Sequence, residues 1–305
     1  MNKTYFSIEN DDFYGAYYPC CEPSKKAMLL VLGEIGSKMT NSAVKWLQSL
    51  NCNVMVVVHD KSEQGWHSFP IERFEKAIVY LKTQGNRKIG IIGASATSTV
   101  ALAAAAICHD ITLSIMLTPA DYVMEGYYRD GLDGVGERPG NFESIVSYKG
   151  EDLPFVPYAY RHPQYWYELK KESKESGNIA AARKLFDESE RLHPIREEEK
   201  IKIENIKGRL ILVGAEDDTL WDTCRYIRRM TERLKNTSSE CKCEAFIYEH
   251  GTHFVFPQSM IKMMFPLVSG LIARIAFKAA RQFPNECKRT RIDIEEKLSR
   301  AIREW

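Results

Sequence analysis

Short, nearly continuous apolar runs alternate along this chain with segments whose apolar positions recur every three or four residues. The runs cover residues 27–32, 54–58, 88–92, 111–117, 209–213 and 244–248. Runs this short, with little polar alternation, suit parallel strands covered on both faces. Between them, 41–50, 71–83, 99–108 and 222–235 carry helical spacing. In 71–83, Phe74, Ile78 and Leu81 make one apolar face, and Glu72, Arg73, Lys76 and Lys82 are expected toward water. The alternation predicts an α/β chain with a doubly wound, mostly parallel sheet. From about 121 to 205 the rhythm breaks into a stretch rich in tyrosine and then in charge, including Tyr122, Tyr127, Tyr158, Tyr165 and Trp166. An insertion of that length is expected to be a lid over a site rather than a packed surface excursion.

One junction in this pattern carries chemistry. The apolar run ending at Ile92 enters Gly93-Ala94-Ser95, and an alanine-rich helical segment follows at once. That is the layout of a nucleophile elbow, a strained strand-to-helix turn that lifts a serine hydroxyl clear of a sheet. Glycine two residues before the serine is expected because neighbouring strands crowd the turn. A second glycine two residues after it is absent, since Thr97 stands there. Gly-x-Ser alone also occurs in ordinary tight turns.

A serine nucleophile needs a general base, and the base needs a carboxylate to orient it. On such a sheet both follow the serine, acid first and histidine second, each beyond a later strand. Beyond the run 209–213 comes Asp217-Asp218-Thr219-Leu220-Trp221, and beyond 244–248 comes Glu249-His250-Gly251-Thr252-His253. The acid is Asp217 or Asp218, and the base is His250 or His253. Isolated, an acidic loop is usually a solvated turn and a histidine usually structural; their order along the chain is what points to catalysis. The oxyanion hole requires two backbone N–H groups. The expected donors are Ala96, directly after the serine, and Glu34, in the loop Gly33-Glu34-Ile35-Gly36-Ser37. Ser37 or Asn41 also reads as an ordinary helix N-cap there.

Composition narrows the remaining classes. The chain has 305 residues, 44% of them hydrophobic and 27% charged, which supplies a sizeable core for one expected domain over 1–305. A formal net charge of +1 gives no electrostatic case for nucleic acid or an anionic membrane. The apolar stretch 260–277 is broken by Lys262, Pro266 and Arg274, so it is expected as a buried or amphipathic helix, not the ~20 apolar residues of a membrane span. With no signal-peptide pattern near Met1, a cytoplasmic location is expected. The eight cysteines show no zinc-ligand spacing and are expected to be reduced thiols, mostly buried. No metal or organic cofactor is implied.

These residues in this order resemble the C-terminal catalytic domain of the bile acid-CoA:amino acid N-acyltransferase and acyl-CoA thioesterase family, from about residue 27 onward. The resemblance rests on Gly90-Ile91-Ile92-Gly93-Ala94-Ser95, Tyr148-Lys149-Gly150-Glu151-Asp152-Leu153-Pro154, Asp217-Asp218-Thr219-Leu220-Trp221 and Tyr248-Glu249-His250-Gly251-Thr252-His253. It implies an α/β-hydrolase fold with a lid-like insertion, Ser95 as nucleophile, Asp218 as the acid and His253 as the base. Members carry serine or cysteine as nucleophile, and serine goes with hydrolysis. The implied function is therefore hydrolysis of an ester or thioester through an acyl-serine, with acyl-CoA as the first-choice substrate. The alternatives are a carboxylesterase of dienelactone-hydrolase type and a catalytically silent binding protein of the same fold. Two features depart from the family pattern. Only about 26 residues precede the first core run, too few for the β-sandwich of eukaryotic members, and Ala96-Thr97-Ser98 replaces the glycine-rich residues after the nucleophile. A β-branched Thr97 is expected to narrow the site or weaken catalysis.

Overall fold

The computed structural model describes residues 3–131, 136–266 and 269–305. Its centre is one eight-stranded sheet. The strands are β1 (Thr4–Phe6), β2 (Gly15–Tyr18), β3 (Lys26–Val31), β4 (Asn53–Val57), β5 (Lys88–Ala94), β6 (Ile111–Leu117), β7 (Arg209–Ala215) and β8 (Lys242–Tyr248). They lie in the order β1-β2-β4-β3-β5-β6-β7-β8. β2 runs antiparallel to both β1 and β4, and all pairs from β4 to β8 are parallel. This is the mixed, mostly parallel sheet of an α/β-hydrolase, with helices on both faces.

The six apolar runs became β3 to β8, displaced by no more than two residues at either end. β1 and β2 carry no such run. They are short, and β1 is an edge strand with Thr4 and Tyr5 exposed, so neither needs a continuous apolar stretch. Helices α1 (Lys38–Ser49), α2 (Glu72–Thr83), α3 (Ala96–Ile107) and α6 (Thr223–Lys235) connect the parallel strands. α3 is buried from Thr97 to Ala106, consistent with a helix apolar on all sides.

Arg73 and the stretch 260–277 depart from what their spacing predicts. Arg73 does not face water: its guanidinium is buried over the Phe69 ring, 4.9 Å from the centroid, and donates two hydrogen bonds to Glu63 at 2.7 and 2.9 Å. The loop that supplies Glu63 folds back onto α2, a contact that helical periodicity cannot register. The stretch 260–277 is not one helix either. It divides into α7 (Gln258–Met264) and α8 (Ser269–Ala276), separated around Pro266, and α9 (Lys278–Gln282) and the long α10 (Pro284–Glu304) follow. No helix of the described residues is long and apolar enough to cross a membrane.

Between β6 and β7 the chain leaves the sheet, as the break in rhythm predicts. It is tied back to the scaffold by two small sheets. Glu125–Tyr128 pairs with Arg138–Ser144 and with Gly65–Trp66 from the loop after β4, and Val146–Tyr148 pairs with Phe69–Pro70 just before α2. Helices α4 (Gln164–Ser176) and α5 (Arg183–Leu192) complete the excursion. Its apolar residues form a second cluster with Tyr226 and Trp221, in which Tyr122, Tyr165, Leu185 and Phe186 are buried. Beneath it, the fully buried Glu125 carboxylate pairs with Arg161 and accepts the Tyr158 amide at 2.8 Å.

Candidate active site

Six parallel strands end at one edge of the sheet, and the candidate residues lie on four of the loops that leave it. Ser95 follows β5 directly and adopts φ 57°, ψ −137°, outside the regions ordinary residues populate. Such a conformation costs of order 1–3 kcal/mol and persists only where the surroundings impose it. The surroundings are visible. The Ser95 amide donates to Leu117 O on β6 at 2.9 Å, and the Ser95 carbonyl accepts the Ser98 amide and hydroxyl in the first turn of α3. A Cβ on Gly93 would stand 2.6 Å from Thr97 O and 2.7 Å from the Ala101 Cβ. Glycine is thus required at 93, but α3 does the crowding, not a neighbouring strand.

Thr97 fits where the family pattern has glycine. Its buried hydroxyl lies 2.6 Å from Val31 O and 2.8 Å from Ala94 O, and accepts the Ala94 amide at 3.3 Å. The side chain bridges β3 to the elbow and turns away from solvent, so its branching is accommodated inside the turn.

Beyond β7 the two adjacent aspartates part company. The Asp218 carboxylate is buried and lies 2.9 and 3.0 Å from Nδ1 of His253. It also accepts the Leu220 amide at 2.9 Å and the Thr223 hydroxyl at 2.5 Å. Asp217 instead accepts the amides of Gly251 and Thr252 at 3.0 and 2.7 Å, bracing the turn that carries His253. His250 stacks on Phe283 with ring centroids 3.8 Å apart, and its Nδ1 is 3.3 Å from Asp217. It stays outside the pocket that holds His253. The His253 ring meets Trp221 edge to face at 5.1 Å, and its Nε2 is 3.4 Å from the Thr118 hydroxyl.

Ser95, Ala96 and His253 line one pocket of about 460 Å³. Among the described residues the Ser95 hydroxyl makes no hydrogen bond; it opens into this space together with His253. The far wall comes from the insertion, with Met124, Tyr127, Tyr158, Tyr165 and Phe186. Burial pushes the Tyr127, Tyr158 and Tyr165 phenols up, so these three rings carry no charge at neutral pH. The Arg129–Glu137 ion pair also lines the pocket. Among the described residues Trp166 does not line the pocket; its ring lies against Gly136, which does. Glu34 is exposed on its loop, 3.9 Å from Lys61, while Leu32 lines the pocket from the same loop region.

Sequence reasoning missed Thr118, Thr223 and the pocket-lining Trp66, and took Trp221 only as part of the Asp-Asp-Thr-Leu-Trp motif, without its contact to His253. Thr223 lies just past that motif, at the start of α6, where helical periodicity gives no sign of its hydrogen bond to Asp218. Thr118 and Trp66 come from distant connections and carry no local signal.

The family model described as BAAT / acyl-CoA thioester hydrolase C terminal matches residues 69–267. The chain belongs to this family. It is a hydrolase, and the matched span takes in the elbow, the insertion and both the aspartate and histidine loops of the family. No curated protein matches it in sequence. Among solved structures, DcsB in complex with its substrate analogue superposes with TM-score 0.50 at 10% identity, covering 96% of this chain and 94% of that one. The Pyrococcus furiosus esterase Pf2001 gives 0.48 at 13% identity, with 98% and 94% covered. The esterase domain of a Rhodothermus marinus protein gives 0.48 at 11%, with 100% and 99% covered. At these identities the likeness concerns the fold alone. Among the described residues no cluster of three or more His, Cys, Asp or Glu could hold a metal ion.

Proposed function

We propose that this family member is a serine hydrolase that cleaves an ester or thioester through an acyl-Ser95 intermediate, with acyl-CoA thioesters as the preferred substrate class. The observation that carries the reading is the buried Asp218–His253 pair opening into the same pocket as a strained Ser95. With Nδ1 held against the carboxylate, His253 presents Nε2 as a proton acceptor. Ser95 Oγ attacks the carbonyl carbon while its proton passes to Nε2, and Asp218 stabilises the imidazolium that results. The backbone N–H groups of Ala96 and Glu34 are the proposed donors to the oxyanion. Collapse of the tetrahedral intermediate breaks the C–S or C–O bond, and the Nε2 proton goes to the departing sulfur or oxygen. Water then attacks the acyl-serine, giving its proton to His253, and the Ser95 hydroxyl is regenerated as the acid leaves. The free Ser95 hydroxyl is compatible with this, because catalytic hydrogen bonds often tighten only once substrate is bound.

The thioester preference draws on the family and on the pocket's uncharged aromatic wall, which suits an acyl chain. The carboxylesterase reading is favoured by the modest pocket volume, which suits shorter esters. Activity-based labelling with a fluorophosphonate, followed by a panel of long acyl-CoA thioesters and short p-nitrophenyl esters, tests both levels. Labelling of the wild type, its loss in Ser95→Ala and a kcat/KM maximum on acyl-CoA are expected. Equal labelling of Ser95→Ala overturns the nucleophile, and a preference for short esters overturns the thioester.

A further inference from the structure

A second pocket, open to solvent on one side, lies among the C-terminal helices behind the histidine loop. It measures about 320 Å³, and its walls include Gln258 and Lys262 of α7, Arg274 of α8, and Asn285, Lys288 and Arg291 of α10. Four of those side chains are cationic. None of the four has a carboxylate within ion-pairing distance among the described residues, although Arg225, Arg229 and Arg233 on α6 are each paired with two. Arg291 is the telling one. Only 4% of it is exposed, its Nε donates to Gln258 Oε1 at 2.9 Å, and its terminal nitrogens have no acceptor among the described residues. A guanidinium stays protonated, so this is a buried positive charge with no protein counter-charge.

Backbone geometry adds donors of the same sign. α10 is 21 residues long and begins beside the cavity with Pro284, which has no N–H. The amides of Asn285 and Glu286 find no backbone carbonyl, the first one satisfied being Cys287 on Phe283 O at 3.0 Å. Free amides at the start of a long helix, with the positive end of its dipole, attract anions. Gln258 fixes the guanidinium plane from α7, so the donors converge from three helices.

We propose that this cavity binds a phosphate group, either as the free ion or as a phosphomonoester on a small organic ligand. A guanidinium, two lysines, a second arginine and free amides match the several acceptor oxygens of a dianion. The cavity is also large enough for more than the bare ion, since small-molecule pockets begin near 300 Å³. Its floor adjoins the catalytic pocket. Phe254, next to His253, lines that pocket and packs on Phe277 at 5.5 Å, in the cluster of Ala273, Ala280 and Cys287 under the cavity. The proposal stands whether or not Ser95 is the nucleophile.

Calorimetric titration of the full chain with inorganic phosphate, and separately with adenosine 3′,5′-bisphosphate, tests it at constant ionic strength against chloride. The variants are Lys288→Glu and Arg274→Glu, whose side chains are exposed, with Arg291→Gln as the buried third. Saturable one-to-one binding is expected, weakened about tenfold or more by each exposed charge reversal, a factor that corresponds to about 1.4 kcal/mol. Two parallel arms identify the source of the phosphate. A KM for acyl-CoA that rises in Lys288→Glu while that for p-nitrophenyl ester holds places it on the substrate, and binding of free phosphate with both KM values unmoved places it on a separate ligand. Heats no larger than those with chloride overturn the proposal, as does binding left intact by both exposed reversals.

Discussion

Adjacent carboxylates with different partners allow a sharp test of the catalytic reading, because Asp218→Asn and Asp217→Asn differ by one position and should differ by orders of magnitude. Asp218 lies 2.9 Å from Nδ1 of His253 and is buried. In the reaction it faces an imidazolium. At a charge separation of roughly 3–4 Å and an effective dielectric of about 20, the attraction is about 4–5.5 kcal/mol. Asparagine keeps the shape and removes the charge, so kcat should fall about 10³- to 10⁴-fold. The fold should survive, because the amide can still accept from Leu220 and exchange a hydrogen bond with Thr223. Asp217→Asn leaves the His253 imidazole untouched but weakens the bond to two loop amides, each a charge-assisted contact worth about 1.5–3 kcal/mol. It should lower Tm while keeping kcat within about tenfold of wild type. The assay is steady-state hydrolysis of a p-nitrophenyl ester, with circular dichroism to confirm folding. A folded Asp218→Asn enzyme within tenfold of wild-type kcat would refute the assignment, and so would an inactive but fully stable Asp217→Asn enzyme.

Other outcomes follow from the same contacts. Gly93→Ala should destabilise the chain by about 1–3 kcal/mol or more through the clash with Thr97 O, read as a drop in the urea midpoint; an unchanged midpoint contradicts the crowding at the elbow. Tyr158→Ala should change the ratio of kcat/KM between long and short acyl chains, and a constant ratio with lowered stability would make the insertion a brace instead of a substrate wall. Glu63 supplies a pH test. Burial pushes its carboxyl up, but hydrogen bonds and charge from Arg73 outweigh this and hold it below its usual range. A depressed carboxyl stabilises the fold above its unfolded value, about 4.3, and that contribution disappears as pH falls through the folded value. Glu63→Gln should therefore lower Tm at pH 7 by an amount that shrinks toward pH 3, and a pH-independent difference would show that the ion pair contributes nothing.

How much of this was legible in the chain depends on the range of the force involved. β3 to β8 were readable because strands covered on both faces must be apolar along their whole length, and that constraint is written locally. So was the position of Ser95, since a strand running into Gly-x-Ser and then a helix leaves few other geometries for the turn. The chemistry of the neighbouring aspartates was not local. Asp217 and Asp218 have the same side chain, and only the arrival of the histidine loop, 35 residues later, makes one a partner for Nδ1 and the other a brace for backbone amides. Arg73 shows the same limit: its spacing says solvent, and a returning loop carrying Glu63 makes burial tolerable. Thr97 was legible as a departure from glycine, but whether it obstructs the site depended on Val31 O lying within hydrogen-bond reach across the sheet. Sequence alone determined six of the eight strands, the strand-to-helix turn at Ser95 and the order in which the aspartate and histidine loops follow it, because those follow from periodicity and turn stereochemistry. Tertiary structure supplied the contacts themselves, the Asp218–His253 pair, the Asp217 brace on the histidine loop and the burial of Arg73, because hydrogen bonds and buried charges are settled by neighbours far apart in the chain.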